Sequence, residues 1–312
     1  MMTIISLKNK FNGDSVFNKL SFASALLIFI TLTGIILSLI EGGWPAFQKF
    51  GIHFIFRDIW DPIQGEFGAA AAIYGTLVSS FIAIVISAPI ALGTAIFLAE
   101  LTPDWISEPV GKAVELLAAI PSIIYGMWGL FVFAPWFSDH FQMWAAEHLV
   151  GIPLIGPWFD GPPIGIGLLS AGIILSIMIL PIMTSLTRDA LKSVPNVLRE
   201  AAYGTGATPF EVITKVLIPQ VKDATVSAAI LGLGRALGET MAVAFVIGGA
   251  NRIETSFFMP ASSISATIAQ QFNEATDPMQ LASLIALGVV LFIITFFVMS
   301  FARRLLRKKK YE

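Results

Sequence analysis

Six long apolar stretches alternate with short polar segments along the chain: Leu20–Ile40, Ala72–Leu98, Leu116–Phe137, Ile164–Leu186, Ala224–Gly249 and Leu281–Phe301. Each is long enough to cross the roughly 30 Å of bilayer hydrocarbon as a helix. In hydrocarbon a chain must satisfy its own backbone hydrogen bonds, so the pattern predicts an all-α integral membrane protein with six transmembrane helices. Lys8, Lys10 and Lys19 precede the first stretch, which raises a cleaved leader as the alternative. Its apolar core is too long for that, and Ser38-Leu39-Ile40-Glu41 offers no small–x–small cleavage site, so it reads as a retained span. Pro89, Pro121 and Pro181 fall inside predicted spans and predict bends there, because proline removes a helix hydrogen bond.

Basic residues orient the chain. Besides the N-terminal lysines, Arg188, Lys192, Arg199, Lys215 and Lys222 sit between spans four and five, and Arg303, Arg304, Arg307, Lys308, Lys309 and Lys310 follow span six. The other side has only Lys49, Arg57 and Arg252. The positive-inside rule puts both termini and the 187–223 loop in the cytoplasm, and six spans satisfy that parity. The terminal basic run serves this topology; an anionic-lipid site is the other use such a run has. The chain divides into an N-terminal span with its external segment (1–71), a transmembrane core (72–302) with a cytoplasmic loop (188–222), and a basic tail (303–312).

Composition agrees. Of 312 residues, 56% are hydrophobic and 13% charged, about half the charged share of a soluble domain. The net charge of −2 is uninformative beside where the charges sit. There is no cysteine, which excludes disulfides, thiolate catalysis and cysteine-held metals. His53, His140 and His148 are scattered over predicted external loops, so no metal site or other cofactor is expected. Trp44, Trp60, Trp136, Trp144 and Trp158 cluster in or beside the external segments 41–71, 138–163 and 250–280. They read as an interfacial aromatic belt, or as a platform where an external partner docks.

The segment Ser193–Pro219 predicts a capped helix–turn–helix. Pro195 suits a first helical turn, and Arg199, Glu200, Ala201 and Ala202 continue it. Gly204 and Gly206 stop the helix, since glycine accepts the left-handed conformation that closes one. Thr208-Pro209-Phe210-Glu211 is a capping box with proline at the first position. The second helix is expected to run to about Leu217 and to end at Pro219, with Phe210, Ile213, Val216 and Leu217 on its apolar face. Such a pair is either a rigid lever for a soluble partner or two amphipathic helices lying on the bilayer.

Arg235 and Glu239 interrupt the fifth apolar stretch. A charge at mid-bilayer costs about 2.5–3.5 kcal/mol on insertion scales, so a retained pair has a use. At i, i+4 on a continuous helix they share a face and can pair. Two uses are open: contact with a charged solute, or a structural salt bridge locking helix five to its neighbours. The surrounding Gly232-Leu-Gly-Arg-Ala-Leu-Gly238 lacks the spacing and preceding strand of a nucleotide-binding loop; its glycines suit close helix approach.

Glu200-Ala201-Ala202, then Gly206-Ala207, then Val216-Leu217-Ile218-Pro219 resemble the EAA motif of ABC importer permeases, with Val216 and Ile218 where that pattern favours isoleucine and leucine. Gly232–Met241 followed by Ala242-Val243, and Ala119-Ile-Pro-Ser-Ile-Ile-Tyr-Gly126, resemble the phosphate-specific branch of that family. The likeness extends from the first span to the sixth. It implies the type I importer permease fold, and it makes Glu200, Ala201, Ala202, Gly206, Ala207, Thr208 and Phe210 the candidate ATPase-coupling residues. Arg235 and Glu239 become candidate substrate-pathway residues. Implied partners are a second, PstA-like permease as heterodimer, two PstB-like ATPases and an external PstS-like phosphate-binding protein, in a bacterial inner membrane, with no nucleic acid. A PstA-type subunit or a permease for another oxyanion are the nearest alternatives. The chain has no G-x-x-x-x-G-K-[ST] loop, so energy must come from a partner. It also has no HExxH, GxSxG or paired intramembrane aspartates, which argues against an intramembrane enzyme. A scaffold or sensor role could accompany transport.

Overall fold

A computed structural model describes residues 13–308. The chain starts with α1 (Gly13–Phe50) and the short α2 (His53–Phe56). A minimal hairpin follows, β1 (Trp60–Asp61) antiparallel to β2 (Glu66–Phe67), with Trp60 opposite Phe67. Next come α3 (Ala70–Ile96), prolonged by a π-helical turn at Phe97–Leu101, and α4 (Asp104–Ala118). A rod then runs from α5 (Ser122–Trp128) through widened turns into α6 (Ala134–Phe137) and α7 (Met143–His148). After α8 (Leu168–Lys192) and α9 (Asn196–Gly204), α10 (Pro209–Glu211) passes through a π turn at Val212–Leu217 into α11 (Ile218–Leu237). The chain closes with α12 (Met241–Val246), α13 (Ile264–Gln271) and α14 (Pro278–Lys308).

The centre is α8, flanked by α3 and α11, while α1 pairs with α14 at the periphery. Two thirds of the apolar window of α8 is buried within the chain, against none of that of α1. Leu168, Ile174, Leu175, Met178, Ile179 and Met183 of α8 carry the main core. The facing side of α3 is a stripe of small residues, among them Ala72, Gly75, Thr76, Ser79, Ala83 and Ser87. With lipid outside, helices gain little from apolarity and associate through close packing of such small residues. At Gly75 an added Cβ would lie 1.9 Å from the Ser262 carbonyl oxygen. Gly75→Val is therefore expected to cost about 1–3 kcal/mol or more through forced displacement. Detergent-solubilised protein should lose its monodisperse peak several degrees earlier on heating; an unchanged profile would contradict this packing.

Among the described residues five helices are long and apolar enough to cross a membrane, and a bent helix pair makes a sixth if its two halves form one span. The expected third span, Leu116–Phe137, straddles that break. α4 and the Ser122–His148 rod meet at 90° across residues 119–121. Pro121 does not bend a continuous helix; with ψ 136° it stands extended ahead of α5. Hydropathy missed the corner because the apolar end of α4 runs directly into the apolar start of α5. Pro89 and Pro181 do lie inside α3 and α8. The fifth stretch is also interrupted, at residues 238–240. Lys8, Lys10, Lys309 and Lys310 lie outside the described residues.

The histidines stay apart, and no cluster of metal-ligating residues exists among the described residues. His140 and His148 stack on Trp136 and Trp144, each with Nδ1 about one hydrogen bond from that tryptophan's carbonyl. Trp60 is fixed instead by its indole N–H, which donates to Gln271 at 2.7 Å.

Candidate functional site

Two places carry the candidate residues: the α9–α10 turn and the break between α11 and α12.

Pro195 stands just outside α9 with ψ 135°, one position earlier than expected for a first-turn proline. The helix ends at Gly204. Gly206, at φ +85°, takes the left-handed closing position. Its N–H donates to the Tyr203 carbonyl at 2.9 Å, and the Ala207 N–H to that of Ala202 at 3.2 Å. This paired closure uses carbonyls that the helix end would leave bare. The Thr208 box is complete: Thr208 Oγ1 accepts from the Glu211 N–H, and Glu211 Oε2 accepts from the Thr208 N–H. The Lys215 ammonium, then Thr208, hold the Glu211 carboxyl down at about 2, so it stays an acceptor at neutral pH.

The second helix differs from expectation in two ways. It does not stop at Pro219 but continues to Leu237. Proline clashes with the carbonyl four residues back in a regular helix, and here it follows the π turn at 212–217, which widens the ladder ahead of it. Nor does Phe210 share a face with Leu217. Leu217 and Val212 are fully buried, while Phe210 is 74% exposed. The extra residue of the π turn shifts the register of the apolar face. Val197 and Tyr203 are exposed on the same turn. Ala201, Ala202, Gly206 and Ala207 line an open recess of about 540 Å³ together with Glu211 and Lys215. Glu200 and Thr208 are exposed at its margin.

Beneath this turn, Ala95, Leu191, Val194, Val212, Leu217 and Val221 form a separate apolar cluster. Beside it lies a contact that sequence reasoning missed. Arg199 donates from Nη2 and Nε to the two carboxylate oxygens of Glu100, at 2.8 and 3.2 Å. It also donates to the Val194 and Leu191 carbonyls at 2.5 and 2.8 Å. The two side chains are only 16% and 11% exposed. A lone carboxylate closing an apolar span, in Phe97-Leu-Ala-Glu100, was the available signal. Arg188 is likewise buried, reaching Glu115 at 3.5 Å and packing its guanidinium on Gly111.

At the break, α11 ends on Leu237, and Gly238, Glu239 and Thr240 link it to α12. Arg235 sits in the last turn of α11, where the helix dipole favours a cation. Its Nε is buried without a hydrogen-bond partner. Glu239 is on the far side of the helix end, and its Oε1 accepts from the Ala242 N–H at 3.3 Å. The two side chains make no ion pair. The i, i+4 pairing expected of them needs a continuous helix, and the break removes it. A structural salt bridge between these two residues is therefore absent in this conformation.

The glycines act as expected at two of three positions. An added Cβ at Gly232 would meet Met183 of α8 at 2.9 Å, and at Gly234 Met299 of α14 at 3.1 Å. Gly238 has only its own helix nearby and lies where the helix ends. Gly126 seats α5 on α12, its Cβ position 3.0 Å from Ala242 Cα. The Ala119–Gly126 stretch thus lies beside the break that carries Glu239.

Comparison with known proteins agrees with this architecture. Residues 91–311 match the family described as binding-protein-dependent transport system inner membrane component. The phosphate transport system permease protein PstC of Mesorhizobium japonicum is 50% identical over 95% of this chain and 90% of its own length. PstC of Pasteurella multocida is 48% identical over 91% and 88%. A probable PstC of Methanocaldococcus jannaschii is 34% identical over 94% and 93%. Among solved structures, the fold is shared with a chain of a bacterial alginate ABC transporter (TM-score 0.61, 17% identity, 96% of this chain and 97% of that one). It is also shared with a chain of the methionine transporter MetNI in an inward-facing conformation (TM-score 0.55, 21%, 80% and 99%). The chain belongs to the PstC family of phosphate transport system permeases, the inner membrane components of binding-protein-dependent transport systems.

Proposed function

We propose that this chain forms half of a phosphate-conducting pathway and that Arg235 is its anion contact. The observation that carries this is the unpartnered Arg235 Nε at the broken end of α11, in a stretch, 224–249, whose only charged residues are Arg235 and Glu239. A guanidinium offers a planar fork of donors suited to phosphate oxygens. Near it, Glu239 accepts a hydrogen bond from a protonated oxyanion and repels one that carries no proton. Phosphate keeps a proton at neutral pH and sulfate does not.

In this reading both termini and the 188–222 segment face the cytoplasm. A PstA-like subunit completes the heterodimer, two PstB-like ATPases supply energy, and an external PstS-like protein delivers phosphate. Glu200, Ala201, Ala202, Gly206, Ala207, Thr208 and Phe210 form the surface that the ATPase grips. The exposed Val197, Tyr203 and Phe210 beside the 540 Å³ recess support this use, because exposed apolar groups around a concavity are what a partner buries.

Labelled-phosphate uptake in cells lacking only this subunit tests the reading: the wild-type gene should restore it, and failure to do so would remove the phosphate assignment. Glu239→Gln keeps an acceptor for the Ala242 N–H while losing the charge. It should raise sulfate uptake relative to phosphate by about tenfold, the worth of one charge contact of ~1.4 kcal/mol. An unchanged phosphate/sulfate ratio would retire the selectivity role.

A further inference from the structure

We propose that the Arg199–Glu100 ion pair is a positioning device that makes α3 and α8 move as one body with α9. The inference rests on the reading of α9–α10 as the ATPase-facing segment and adds the route by which its movement enters the membrane.

The geometry favours transmission over simple adhesion. Arg199 precedes Glu200 and belongs to α9, Glu100 belongs to the π turn ending α3, and the Leu191 carbonyl belongs to the last turn of α8. One guanidinium therefore ties three elements together through Nε, Nη1 and Nη2. A two-pronged guanidinium–carboxylate contact fixes orientation as well as distance. The apolar cluster around Leu191, Val212 and Leu217 holds the turn close but sets no angle, since apolar contact is non-directional. α3 and α8 share the most extensive helix contact among the described residues, so a push received at α9 reaches a closely packed pair at the core. The π turn gives Glu100 its aim: it offsets the carboxylate from the helical register of α3, beyond the last buried residue, Leu98.

The test uses the whole importer, purified with partner permease, ATPase and binding protein and reconstituted in liposomes. The readout is phosphate imported per ATP hydrolysed. Glu100→Gln should keep the ATPase attached and hydrolysing while the ratio falls about tenfold, a typical coupling energy expressed as a ratio. A ratio equal to wild type overturns the proposal, as does a fall in uptake that merely tracks lost ATPase. Failure of the ATPase-facing reading is a separate result, seen when Phe210→Asp leaves the ATPase bound. A second measurement guards against a misfolded variant. The chain has no cysteine, so Glu100→Cys with Arg199→Cys can be joined by a short bifunctional thiol reagent. Linked transporter should be better coupled than unlinked. Linked transporter that is arrested, or no better coupled, overturns the proposal.

Discussion

Arg235→Gln is expected to abolish most phosphate uptake while leaving the complex assembled. A hydrogen bond to a charged group contributes about 1.5–3 kcal/mol, so uptake should fall roughly ten- to a hundredfold. Assembly should survive because Arg235 has no carboxylate partner to strand among the described residues. Breaking a buried ion pair costs about 3–5 kcal/mol, and a structural salt bridge at this position would show that loss as poor membrane yield. Arg235→Lys separates charge from shape. It keeps the cation but loses the fork, and should transport little better than Arg235→Gln. Full activity of the lysine variant would mean that only charge matters; a collapse in yield for both would make the arginine structural. Uptake and co-purified ATPase, measured on the same membranes, decide between these.

Phe210→Asp should detach the ATPase. The ring is 74% exposed, so its loss removes little packing within the chain. Aspartate in the first turn of a helix is favoured by the dipole, and the Thr208–Glu211 box stays intact. An exposed aromatic that fills a partner's pocket is typically worth at least ~2 kcal/mol of binding, or about thirtyfold in affinity. The variant permease should therefore reach the membrane in normal amount but purify with little ATPase, and uptake should fall with it. If ATPase recovery is normal, the turn lies on the bilayer or docks by another face.

Much of this was legible in the chain. Apolar length marked the candidate spans because a bilayer imposes one length on every span. The capping box at Thr208 and the closure at Gly206 were legible because both are local: the residue types dictate hydrogen bonds within a few positions. What escaped was non-local or hidden in uniform apolarity. A right angle between α4 and α5 leaves hydropathy unchanged. The end of α11 at Gly238 looked like one more small residue for helix packing, and with it went the pairing of Arg235 with Glu239. Phe210 was misassigned because a π turn adds a residue that a regular period does not count. Arg199 and Glu100 are 99 positions apart, and only the fold brings them together. The family itself was legible from the EAA-type run and the glycine-rich stretch, and the PstC relatives bear it out.

The peripheral position of α1 has a consequence for how this chain can change over generations. No residue of its apolar window is fully buried within the chain, although Thr33, Ile36 and Leu39 are partly covered; its tightest approaches to α14 lie at Gly42 and Gly43, where an added Cβ would stand 3.0 Å from Ile285 and from Ala286. Within this chain, the exposed positions of residues 20–40 are therefore constrained by length and apolarity more than by the shape of a neighbouring helix. Leucine, isoleucine, phenylalanine and valine are nearly interchangeable there, and substitutions should accumulate freely. Gly43 has no such freedom. A lineage moving to a thicker or thinner membrane could retune this one helix, by lengthening or trimming it, without disturbing the central packing of α3, α8 and α11.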